Sequence, residues 1–297
     1  MARPNPPIMS ANPNLAPITE ASENKKPGMS RTQKLLFFVT AWLICLMPFL
    51  FWWNTWFGRK LSDQQLNEYL HDTKKPRHIQ QALVQVGERI ARQDVTAKQW
   101  YPDLVRLAAD PVEEVRNTDA WVMGQDTSAA GFHETLTKML ADPSPMVRGN
   151  AALSLVRFGD AIGRPQILAL LQPAQITSPE SGRIIDSDRP GTAIHQGGLI
   201  AKLKYGNQQI AEIRSPIPGR IRSVAGTGAN LAAAAEVAIV DPANDQVWEA
   251  LRALYLIGQL DDLSAIRPYE RDLPDISNAV RQQAVETEQA IRKRSGS

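Results

Sequence analysis

Cysteine is nearly missing from this chain: one residue in 297, Cys45. A single thiol excludes an intrachain disulfide and a thiolate metal cluster. Histidine is scarce as well, with only His71, His78, His133 and His195. His133-Glu134 is the only His-Glu pair, whereas a di-metal site on helices draws ligands from at least two of them. Strong net charge is absent too: 33 basic against 31 acidic residues leave +2. That balance gives no global pull toward nucleic acid, and no aromatic-basic pattern of an RNA-binding sheet occurs. Nor is there a phosphate loop, a Gly-x-Ser-x-Gly elbow or a paired-histidine metal motif. Asp186 and Asp188 in IIDSDRPG put two carboxylates on a turn, but a cation site needs further ligands. Together these gaps imply a protein that is not an enzyme, with no cofactor, no metal and no nucleic-acid partner.

What is present begins with a long apolar run, LLFFVTAWLICLMPFLFWWNTWF, residues 35–57. It carries no charge, and about 20 apolar residues span a bilayer core. Trp52, Trp53 and Trp56 crowd one end, where amphipathic rings favour the headgroup region. The run predicts one uncleaved transmembrane anchor, because no small residues follow it to make a cleavage site. Lys25, Lys26, Arg31 and Lys34 precede it, against Arg59 and Lys60 close behind, which places the bulk of the chain outside the cytoplasm. Residues 1–34 hold six prolines and few apolar side chains, the composition of a disordered tail.

Beyond residue 77 the apolar period becomes helical. Ile79, Ala82, Leu83, Val86 and Ile90 fall on one helix face, with Pro76 suited to the first turn. A pattern then recurs: DPVEEVRNTD from Asp110, DPSPMVRGNA from Asp142, DISNAVRQQA from Asp275. Each copy has Val five and Arg six residues after the Asp, and the first two lie 32 residues apart. Such a period means stacked helix pairs. The Asp suits a helix boundary and cap, the Val a core position, and Arg116, Arg148 and Arg281 can reach a carboxylate of a neighbouring repeat. This pattern resembles HEAT repeats.

Between Pro173 and Pro242 the helical period fails, and a seven-residue phrase appears twice. SPESGRI starts at Ser178 and SPIPGRI at Ser215. The same offset of 37 matches Gly191 to Gly228, Ile194 to Leu231, Gly197 to Ala234, and Ile200-Ala201 to Val237-Ala238. Each half reads as short strands joined by turns, with IAKL and VAIV as strands. Gly206 and Asn207 between them allow a tight hairpin. Two related halves about such a hairpin resemble a biotinyl/lipoyl-like domain, the barrel-sandwich hybrid, similar to that of membrane-fusion (periplasmic adaptor) proteins. In carrier members of that family a lysine at the hairpin tip accepts biotin or lipoate. The matching position here is Gln208, and an amide lacks the nucleophilic amine. Lys202 and Lys204 lie in or at the end of the strand.

The expected fold is therefore mostly α: a HEAT-repeat solenoid with an inserted small β barrel-sandwich domain and one N-terminal transmembrane helix. The expected order is a tail at 1–34, an anchor at 35–57 and helical repeats at 61–175. The barrel follows at 176–242, and the repeats continue at 243–294. The expected role is a membrane-anchored, single-pass adaptor or scaffold that binds protein partners, with envelope transport or secretion as its sharpest version. The alternative is an acyl or carboxyl carrier subunit, disfavoured by Gln208.

Overall fold

The computed structural model describes residues 30–56 and 60–296; the side chains at 45, 48 and 50–56 lie outside that description. Two compact units divide the chain at Arg59. In the first, α1 (Arg31–Trp56) takes up the apolar run. Leu35, Phe37, Phe38 and Trp42 on it are exposed. No helix among the described residues is long and apolar enough to cross a membrane. This overturns the span expected at 35–57, and with it the single-pass, extracytoplasmic location. Cys45, Trp52, Trp53 and Trp56, on which part of that expectation rested, have side chains outside the described set, as does most of the proposed tail.

The second unit starts with helices α2 (Asp63–Leu70), α3 (Pro76–Ala91), α4 (Tyr101–Leu107), α5 (Glu113–Met123), α6 (Phe132–Met139), α7 (Pro145–Arg157) and α8 (Arg164–Ala169). Ile79, Ala82, Leu83, Val86 and Ile90 are all buried, on the face that their spacing predicted. Pro76 opens α3, where its missing N–H is not needed. One apolar core runs from Leu61 to Leu155 through α2 to α7. The repeated valines, Val115, Val147 and Val280, are buried in the helical cores.

The repeated aspartates work differently from simple helix caps. Asp110 and Asp142 each accept a hydrogen bond from the amide two residues on, Val112 and Ser144, both at 2.8 Å. They fold the turn before the helix. The hydroxyls of Ser144 and Ser277 are the actual caps of α7 and α11 (Asn278–Arg294).

Eight strands interrupt the helices: β1 (Ala174–Thr177), β2 (Gly182–Ser187), β3 (Ala193–Ile194), β4 (Leu199–Tyr205), β5 (Gln209–Arg214), β6 (Gly219–Val224), β7 (Asn230–Leu231) and β8 (Glu236–Pro242). They form two four-stranded sheets, β1-β8-β6-β3 and β5-β4-β2-β7, in which every strand pair is antiparallel. About half of the chain is helical, so the expectation of a mostly α protein with a transmembrane helix is corrected to a mixed architecture. The difference has a physical basis. Both sheets contribute to one separate core, including Ile184, Leu203 and Ile213 from one and Ile221, Ala238 and Val240 from the other. The β segment is thus a complete layered body with its own interior.

The chain returns to helix in α9 (Asn244–Ile257), α10 (Leu263–Ile266) and α11. Ile167 and Leu170, before the sheets, share a core with Leu251, Leu254 and Val280, after them. Trp248 packs at its edge, but Tyr255 is 43% exposed, so the buried face of α9 is Val247, Ala250, Leu251 and Leu254. Arg164 closes the same junction on the buried Asp262, at 3.0 and 3.1 Å.

Candidate functional site

The doubled phrase is explained by the backbone it serves. Ser178 and Ser215 are both buried, and each hydroxyl donates to the carbonyl two residues on, Glu180 and Ile217, both at 2.6 Å. The Ser178 amide donates to Ala235 and the Ser215 amide to Gly198, equivalent positions of the opposite half. A Cβ on Gly182 would strike the carbonyl oxygen of Lys204, and one on Gly219 that of Asp241. Arg183 donates to the carbonyl of Gly228, Arg220 to that of Gly191. Ile184 and Ile221 fill the shared core. Every strand of the first half maps on its counterpart by the same offset, and the two sheet orders interchange under it. The repeat is therefore structural: it builds a pseudo-twofold pair of halves.

At the far end, Gly206, Asn207 and Gln208 make the tip between β4 and β5. Gln208 is exposed and adopts a left-handed conformation, φ 71°. Lys202 lies on β4 3.9 Å from Asp186; Lys204, also on β4, pairs in register with Arg183 and Ile210. Neither lysine is on the tip.

A recess lies between the β1-β8-β6-β3 sheet and the C-terminal helices, a cleft of about 670 Å³. Its sheet wall carries Arg220, Arg222 and Asp241, and its helical wall Tyr269 and Asp275. Arg222 donates from Nε and Nη2, one guanidinium edge, to both carboxylate oxygens of Asp241, and these bonds raise the Arg222 pKa further. Arg220 reaches Asp275 at 3.6 Å. The Tyr269 hydroxyl donates to the Leu171 carbonyl at 2.5 Å. Burial, and then the Asp241 charge, push that phenol up to about 12. Asn244 pins the far lip, donating to Asp275 and accepting from the Ser277 amide, both at 3.1 Å. Each charged group here has a partner, and none is an activated nucleophile.

The helical rungs are built by the repeated residues. Arg116 grips Asp142 with Nε at 2.7 Å and Nη2 at 2.9 Å, while its Nη1 donates to the Asp110 carbonyl. Burial acts to raise the Asp142 carboxyl, but the Arg116 bonds and the Ser144 amide outweigh it and hold it low. Arg148 repeats the carbonyl contact, to Asp142 at 2.7 Å. The next rung would fall 32 residues beyond Asp142, at Ala174, where β1 begins. The third copy differs: Arg281 bonds Asp272 and Asn278 within its own neighbourhood. Asp275 faces the cleft instead.

Three histidines sit against single aspartates: His71 on Asp103, His78 on Asp72, His133 on Asp160. His195 is exposed. Asp188 accepts from the Arg189 amide and the Thr192 hydroxyl, so the Asp186–Asp188 turn is locally bonded. Among the described residues no group of three or more His, Cys, Asp or Glu side chains could hold a metal ion.

Sequence reasoning missed several residues. Glu113 accepts from Ser144 and from Gln196, fastening the sheets to the helical body. Glu270 is raised to about 7, by burial first and then by Glu288, which is itself held at about 2 by its bonds to Glu270 and Arg292. Asp119, fully buried in α5, has no hydrogen-bond partner for either oxygen. Burial raises its carboxyl well above the usual range. The separations involved, 83 residues for Glu113–Gln196, leave no local signal in the chain.

The HEAT repeat family model matches residues 134–162, which span α6 and α7. This segment is a HEAT-type element. No curated protein matches the chain.

Proposed function

We propose that the protein is a non-enzymatic scaffold that binds protein partners. The observation that carries this reading is the HEAT-type element at 134–162, set among helices that share one core. Stacks of such elements present surface to partners instead of enclosing a reactive pocket. The mutually paired charges of the cleft support the same reading. The two-sheet unit is taken as a biotinyl/lipoyl-like barrel, on the strength of its two interchangeable halves.

A carrier function is the second reading, and Gln208 counts against it. The tip offers an amide where the family's carriers offer an amine. Intact-mass measurement of the natural protein separates the two. An unmodified mass is expected; a lipoyl or biotinyl adduct on Lys202 or Lys204 would make it a carrier. The scaffold itself is tested by sizing the protein in native extract after mild crosslinking. A stable assembly with an interface on the order of 1,200 Å² or more is expected. A chain that runs alone under every condition would overturn the scaffold.

A further inference from the structure

The two sheets are interchangeable in strand order, yet their outer faces meet different surroundings. On the β1-β8-β6-β3 sheet, Pro173, Arg220, Arg222 and Asp241 line the cleft against the chain's own C-terminal helices. The 37-residue offset carries these four positions to Ile210, Arg183, Ile185 and Lys204 on the β5-β4-β2-β7 sheet. There Ile185 and Ile210 are 37% and 56% exposed. Arg183, Lys204 and Ile210 lie in one cross-strand row.

The charge differs in an informative way. On the covered face the row is self-neutralising, since Arg222 holds Asp241 and a carboxylate from the helical side, Asp275, meets Arg220. On the open face Lys204 stands where Asp241 stands. Among the described residues neither Arg183 nor Lys204 forms an ion pair, and the nearby acids are taken, Asp186 by Lys202 and Glu212 by Arg214. The open face thus presents two cations flanked by two apolar side chains. Its covered mate shows what such a face accepts within this fold: the turn that leads into helix α11, which brings the Asp275 carboxylate between apolar Leu273 and Ile276.

We propose that the outer face of the β5-β4-β2-β7 sheet docks an acidic amphipathic helix of a partner protein. The helix supplies carboxylates to Arg183 and Lys204 and apolar side chains to Ile185 and Ile210. This rests on the scaffold reading and adds its binding surface.

The test places a photoreactive benzoylphenylalanine at Ile210, and separately at Lys138 on the helical body, in the full chain within its native cell. The crosslinked peptide is then read by mass spectrometry. Adducts from position 210 are expected on a helical peptide with at least two carboxylates beside apolar residues. The double variant Arg183→Glu/Lys204→Glu should cut their yield at least tenfold. Arg183→Lys should keep most of it, and circular dichroism should show both variants folded. Adducts to a second copy, to the chain's own N-terminal segment or to a peptide without carboxylates would overturn the proposal. So would no adduct, or a yield indifferent to charge reversal. Saturable binding to phosphatidylserine vesicles with no protein adduct would assign the face to lipid. A native assembly that crosslinks only from position 138 would sink this surface and leave the scaffold standing.

Discussion

The helical rungs and the sheet halves are both repeats, but they repeat different things. Along the helices the 32-residue period preserves one contact, the Arg donating to the carbonyl of its own Asp, while the Arg116 grip on Asp142 occurs once and the copy near Asp275 solves its neighbourhood differently. Across the sheets the 37-residue period preserves backbone geometry down to individual amides. A solenoid rung needs only a neighbour that fits, and many side chains serve. A closed pair of halves has each turn bonded into the opposite half, so the Ser, Gly, Arg and Ile of the phrase are each fixed by a specific bond, clash or core contact.

If that contrast is right, the largest damage comes from the smallest change in the sheets. Gly182→Ala and Gly219→Ala each drive a methyl into a strand carbonyl. Each should cost about 3 kcal/mol, measured by urea unfolding. Similar losses at both sites would support equivalent halves, and a harmless substitution at either would break the equivalence.

In the helical body Arg116→Ala leaves the nearly buried Asp142 without its partner, a loss of about 3 kcal/mol at pH 7. Asp142 is depressed in the folded chain, so its contribution is present above its ordinary value near 3.8 and disappears as pH falls through the folded value. The difference between Arg116→Ala and the parent should therefore shrink in acid. A gap that stays constant down to pH 2 would show that the rung is not electrostatic.

Asp119 has the opposite sign. Its folded carboxyl titrates above 3.8, so the folded chain holds the extra proton, and stability falls as pH rises from that value until the folded carboxyl has ionised. Asp119→Asn should stabilise by roughly 1–3 kcal/mol at neutral pH and make no difference near pH 3. Thermal melts across pH would show this, and a neutral-pH loss would mean that the carboxylate has a partner.

The smallest effect sharpens the sheet comparison once more. Gly197 and Ala234 are equivalent, and both take left-handed backbone, φ 73° and 62°. Ala pays for that conformation where Gly does not. Ala234→Gly should stabilise by about 0.5–1 kcal/mol, a rise of a few degrees in Tm.

The legible parts of the fold were those with a period. The α3 core face followed from its spacing, the strands IAKL and VAIV from their residues, and the halves from the doubled phrase. The candidate site was mostly illegible. Its cleft joins β6 and β8 to residues around Tyr269 and Asp275, and neither wall contains a pattern that names the other. Tyr255 continues an apolar run, but the helical turn carries it past the buried arc of α9. The apolar stretch at 35–57 predicts a span, but no helix among the described residues is long and apolar enough to make one.

The pairing of β1 with β8 has a kinetic consequence. Ala174 faces Val240 across one strand spacing, so the chain leaves and re-enters the helical stack at nearly the same point. About seventy residues separate α8 from α9 along the chain, and closing so long a loop would burden the docking of α9. Once the sheets have zipped, the effective loop shrinks to the width of two strands. The expected order is sheets first and the α8–α9 seam last. Pulse-labelled hydrogen exchange should find β4 and β8 amides protected before those of α9.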